Sequence, residues 1–110
     1  MKIAVASKSG INVDQHFGHA DRFLIYELNQ HEAVKIETVE VGKYCSFDLE
    51  HPFRHRQFAA IITALKDCQI VVTAMIGDYP LAELRKAGLF HLTASGPIND
   101  ALQVAARGRI

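Results

Sequence analysis

The hydrophobic period of this chain changes once, and that change limits the folds open to it. As far as Val41 the apolar residues keep to strand-like runs; from Phe58 a 3.6-residue period sets in, and helical and strand-like stretches then alternate. Lys2–Ala6 sets Ile3 and Val5 against Ala4 and Ala6, a short strand. Ser7-Lys8-Ser9-Gly10 breaks it, and Ile11–Ala20 reads as a long loop. Arg22–Leu28 is rich in β-formers, Asn29-Gln30-His31-Glu32 reads as a hairpin turn, and Ala33–Val41 is the returning strand. In that strand Val34 and Ile36 share one parity while Val39 and Val41 take the other, which predicts a bulge or a twist.

Gly42–His55 is the least regular stretch. Phe58, Ile61, Ile62 and Leu65 then mark one face of a helix over Phe53–Asp67. Gln69–Ala74 is an unbroken apolar run, as expected of a strand buried on both faces. Asp78 is placed to cap a second helix, with Pro80 in its first turn and Gly88 as its C′ residue. Leu89–Thr93 is a fifth strand. Ser95-Gly96-Pro97 opens a last helix that buries Ile98, Ala101, Leu102 and Ala105. The order βββαβαβα over residues 1–110, one domain, gives an α/β fold. Its mixed five-stranded sheet has the expected order 3-2-1-4-5, strand 2 antiparallel, with helices on both faces.

Charge and composition remove several functions. Twelve Lys and Arg balance twelve Asp and Glu, so nothing favours binding to nucleic acid. No apolar run approaches the roughly 20 residues that span a bilayer, and MKIAVAS is too short for a signal-peptide core. Two cysteines build no disulfide scaffold, so the expected compartment is a reducing cytoplasm. CxxC, HExxH, GxSxG, GxGxxG and P-loop patterns are absent, which leaves a structural zinc site, a zinc protease, serine hydrolysis and nucleotide binding unsupported.

The expected topology brings five loops to the carboxyl ends of the strands, where open α/β sheets bind ligands. They are Ser7–Gly10, the loop with His16–His19, Gly42–Cys45, Met75–Asp78 and Ser95–Pro97. His16-Phe17-Gly18-His19 carries two imidazoles three apart that can approach a metal or cluster from one side, and Gly18 permits a close backbone approach. The plainer alternative has His16 satisfying loop backbone while Phe17 plugs the core. Cys45 lies beside Lys43, whose ammonium favours thiolate; the alternative is an inert, half-buried thiol. Cys68 reads as core packing. His51, Arg54, His55 and Arg56 make a small basic cluster that is either a solvated helix entrance or an anion-recruiting patch.

Taken together, these motifs resemble one family. MKIAVAS, HFGHADRFLIYEL, KYC after the third strand, and ITALKDCQIVVTAMIGDYPLAELRKAGL follow in order over nearly the whole chain. They are similar to the dinitrogenase iron–molybdenum cofactor biosynthesis family, which includes NifX and the C-terminal region of NifB. The resemblance implies an RNase H-like fold and a non-catalytic protein that binds and carries an iron–sulfur cofactor or an iron–molybdenum cofactor precursor. Donor and acceptor proteins for that cofactor would be its partners, and a monomer or weak homodimer is expected. His16 maps onto the histidine of the HFG motif and is the leading metal ligand, with Cys45 the leading thiolate. Ala20 stands near where members of the NifX type often carry a cysteine.

A cluster of this kind needs few direct ligands and many outer donors. Ser7–Gly10, with Ser9 and Gly10, together with Gly42 and Gly77–Asp78, are expected to supply N–H groups, Lys8, Lys43 and Arg54 to offset charge, and His19 and Gly18 to line the site. Two competing readings stay open. One is an interaction or regulatory module that uses the acidic third strand and carries no metal. The other is a hydrolase with a metal at His16–His19.

Overall fold

The computed structural model describes residues 1–29, 32–41 and 53–107, with backbone alone over 53–58. Strand β1 (Lys2–Ala6) is central. It pairs antiparallel with β3 (Arg22–Leu28), which pairs antiparallel with β4 (Ala33–Glu40). On its other side β1 pairs in parallel with β5 (Ile70–Thr73), which pairs in parallel with β6 (Phe90–Thr93). The sheet is therefore mixed and five-stranded, in the order β4-β3-β1-β5-β6. Among the described residues three α-helices complete it: α1 (Phe53–Ala64), α2 (Asp78–Lys86) and α3 (Ile98–Arg107).

The alternation in β1 sorts the core into two halves. Ala4 and Ala6 face a cluster with Phe17, Phe23, Ile61, Leu65 and Leu84, which draws in the α1 and α2 side. Ile3 and Val5 face the other way, onto Ile98, Ala101 and Leu102 of α3. Period-two parity thus puts helices on both faces of the sheet.

The parity switch in β4 is a bulge. Ile25 pairs with Glu37 but Tyr26 pairs with Lys35, so Ile36 is the extra residue. Val34 opposite Glu27 and Val39 opposite Phe23 thereby reach the same face despite their odd spacing.

Helix α2 ends as its sequence predicts. Gly88 takes φ +85°, its amide donates to Arg85 O at 3.0 Å, and the Leu89 amide donates to Leu84 O at 2.9 Å. That is the Schellman pattern, closed by Leu84 and Leu89 in one core cluster. At the other end the expectation is corrected. Gly77 is the N-cap, and Asp78 lies in the first turn, where its charge complements the helix dipole.

The chain also holds two strands that sequence reading missed. Asn12–Val13 (β2), expected in a long loop, pairs antiparallel with Gly96–Pro97 (β7), expected to open α3. Two residues are too few for periodicity to register. The β2–β7 pair ties the loop after β1 to the entrance of α3, and the Ile98 amide donates to Ile11 O at 2.9 Å.

Candidate functional site

Residues 7–20 cross the carboxyl ends of the parallel strands from one face of the sheet to the other. Val13 is buried with the α3 side of the core; Phe17 is buried with the opposite side. Between them the chain docks on the residues that follow β5. Ala74 N–H donates to Gln15 O at 2.9 Å, His16 forms a parallel bridge with Met75, and Phe17 N–H donates to Met75 O at 2.8 Å.

At this crossing Phe17–His19 forms one 3-10 turn, with His16 extended just before it. Phe17 is fully buried, so the turn is pinned at its first residue, while His16 before it and His19 at its end stay exposed. His16 and His19 are both exposed, with ring centroids 5.7 Å apart and planes 11° from parallel. Two imidazoles held side by side on a pinned turn present nitrogen donors to a ligand approaching from solvent. Gly18 takes part without a left-handed backbone: positive φ among the described residues occurs at Gly10, Gly88 and Gly96. Beside His16, the apolar side chain of its bridge partner Met75 is 57% exposed.

The Ser7–Gly10 loop is organised differently from the expectation. Its amides are engaged within the loop. Lys8 and Ser9 donate to the Asp14 carboxylate at 2.7 and 3.2 Å, and Gly10 donates to Ser7 Oγ at 2.9 Å. Ser9 Oγ in turn receives the amides of Ile11 and Asn12, and the Ser7 hydroxyl donates to Asn12 O at 2.6 Å. Ser9 and Gly10 therefore build the loop rather than offer free N–H groups to an anion. Partial burial pushes the Asp14 carboxyl up, but the hydrogen bonds from Lys8 and Ser9 outweigh it and hold it below the usual carboxylate range.

A second polar group lies directly under the turn. Thr73, with no exposure at the end of β5, donates to Met75 O at 3.1 Å and meets His91 Nε2 at 2.7 Å. Burial, with the Arg85 charge nearby, brings His91 down to about 4, so it is neutral at physiological pH. Neither residue stood out in the sequence. The signal was there: Thr73 is the polar position closing an otherwise apolar buried strand, and His91 interrupts the next one.

Gly77, exposed at the α2 N-cap, lies two residues beyond Met75 on the same connection. Cys45 and Lys43, like Gly42 and His51, lie outside the described residues. Cys68 is buried and its thiol is pushed up to about 11, mainly by burial. Among the described residues no three or more His, Cys, Asp or Glu side chains gather to hold a metal ion. No described helix is long and apolar enough to cross a membrane.

A family model described as dinitrogenase iron-molybdenum cofactor matches residues 1–108. The chain is 39% identical over 89 residues to the FeMo cofactor biosynthesis protein NifB of Klebsiella pneumoniae, covering 79% of this chain and 19% of that protein. To the NifB of Azotobacter vinelandii it is 36% identical over 112 residues, covering 98% of this chain and 22% of that protein. It thus spans about a fifth of the length of these curated relatives. Among solved structures, the apo form of the orange protein from Desulfovibrio gigas superposes with a TM-score of 0.69 at 21% identity, covering 97% of this chain and 88% of that one. At that identity the likeness is one of fold.

Proposed function

Since the chain belongs to the dinitrogenase iron-molybdenum cofactor family, we propose that it binds and carries an iron–sulfur cofactor or an iron–molybdenum cofactor precursor as cargo, without catalysing a reaction. The observation that carries this reading is the exposed, stacked His16–His19 pair on a turn fixed by buried Phe17. In this proposal His16 ligates the cargo and His19 supports it. Cys45 adds a thiolate and Lys43 offsets negative charge. Sparse ligation suits a carrier, because a cluster held by few bonds can be passed on. The cargo is received from and delivered to proteins of the same biosynthetic route, in the cytoplasm, by a monomer or weak homodimer. The RNase H-like label for the fold belongs to the same proposal.

Anaerobic reconstitution with iron and sulfide tests it, reading iron per chain and the visible charge-transfer band. His16→Ala is expected to weaken retention at least tenfold, about 1.4 kcal/mol, with the fold unchanged. Equal iron in wild type and variant removes His16 from the site.

One observation favours an interaction module instead. Edge strand β4 exposes Glu37 with Val34 at 45% on one face, Glu40 on the other and Ile36 at 44% at the bulge between them, an open edge suited to a partner. A wild-type chain that takes up no iron, with sulfide or as a preassembled cluster, decides for that reading.

A further inference from the structure

We propose that Thr73 and His91 are positioning residues for the His16–His19 turn: the chain from His91 Nε2–H to Thr73 Oγ1, and from the Thr73 hydroxyl to Met75 O, fixes the carbonyl that holds the Phe17 amide. This rests on the reading of His16 as the residue that faces the cargo.

The geometry leaves little freedom at Met75. Its carbonyl accepts from the Thr73 hydroxyl at 3.1 Å and from the Phe17 amide at 2.8 Å, one donor for each lone pair. A hydroxyl has a single proton. With that proton directed at Met75 O, the 2.7 Å contact requires His91 to donate from Nε2. The imidazole is then locked in one tautomer, with Nδ1 unprotonated.

The strand register argues that the contact is built rather than incidental. Thr73 stands opposite Thr93, and His91 stands opposite Val71, two residues back on the same face. The imidazole reaches Thr73 diagonally, toward the carboxyl end and the turn above it. Val71 and Val72 precede Thr73 with no exposure, and a third valine would fill the same volume. A hydroxyl is costly there unless bonded on both sides, and here it is. What it adds over a valine is control of the Met75 carbonyl. From that carbonyl the path to the donors is short: Phe17 hangs from it, His16 bridges to Met75, and the His19 amide closes the turn on His16 O at 3.0 Å.

The test uses Thr73→Val, which keeps shape and loses the hydroxyl, and Thr73→Ser, which keeps the hydroxyl. Two readouts need no cargo. Amide exchange at Phe17 is expected to rise about tenfold or more in Thr73→Val and to stay near wild type in Thr73→Ser. Imidazole 15N NMR is expected to show the Nε2–H tautomer of His91 in wild type. Unchanged Phe17 exchange in Thr73→Val, or an unprotonated Nε2, overturns the proposal.

The third readout is iron retained after reconstitution with iron and sulfide. Retention falling in His16→Ala and Thr73→Val but recovered in Thr73→Ser supports positioning. Retention falling in His16→Ala alone overturns it. If His16→Ala keeps its iron, the cargo reading fails by itself, while the exchange and tautomer results still decide whether the chain holds the turn.

Discussion

The rings of Phe17 and Phe23 meet with 6.2 Å between centroids and a 52° tilt, on the face of β1 that carries Ala4 and Ala6. The alanines make the pair possible, since a larger residue at either position would take up the depth the rings occupy. Phe17 thereby anchors the turn that bears both exposed histidines. Phe17→Ala is expected to cost about 3–5 kcal/mol, as for a fully buried aromatic, measured by urea unfolding. Phe17→Leu should cost less and keep iron retention close to wild type. A cost for Phe17→Ala near that of a surface substitution would mean that the turn is held by its backbone bonds alone.

Much of the fold was legible because periodicity reports burial. Ile98, Ala101, Leu102 and Ala105 were expected on the inner face of the last helix, and all four are buried there. The bulge in β4 was readable because a change of parity within one strand has few other causes. The site was legible only at its surface. His16 and His19 announce themselves by residue type, but the bonds that hold them run through backbone atoms of Gln15 and Met75, which any side chain could provide. The role of Asp14 was hidden for a similar reason. A loop aspartate six residues from Lys8 has no periodic signal, yet its carboxylate closes the loop that was expected to offer N–H groups to a ligand.

That carboxylate has a pH signature. A group held below its ordinary value favours the folded state in its charged form. Its contribution is complete above the ordinary value of 3.8 and is lost as pH falls through the lower folded value. In an NMR titration the Lys8 and Ser9 amides should keep their hydrogen-bonded shifts through pH 4 and lose them together below 3.8. In Asp14→Asn that shared step should vanish. A step above 3.8 would mean that burial outweighs the hydrogen bonds at this carboxyl.

Gly88 separates backbone strain from crowding. A Cβ added there meets nothing within 4 Å, so the cost of Gly88→Ala comes from holding an L-residue at φ +85°. That cost is expected at about 1–2 kcal/mol, read from the shift in denaturation midpoint with the m-value unchanged. Gly88→Asn should cost less, because asparagine tolerates the left-handed region better. Equal costs for Ala and Asn would point away from backbone conformation as the cause.

Cys68 is expected to be chemically silent in the folded protein. Burial raises its thiol; Lys2 opposes that, and Asp67 and Glu37 reinforce it, leaving a value of about 11. At pH 7.5 roughly one thiol in three thousand is then ionised, and the thiolate is the reactive form. In a Cys45→Ser variant, where Cys68 is the remaining cysteine, labelling by a maleimide should be slow in buffer and fast in denaturant. The labelling rate should follow the unfolding equilibrium as urea rises. Fast labelling of the native variant would place Cys68 at an accessible surface and reopen it as a thiolate donor. Slow labelling leaves Cys45 as the thiol to test for cargo, by comparing iron retention in Cys45→Ser and Cys68→Ala.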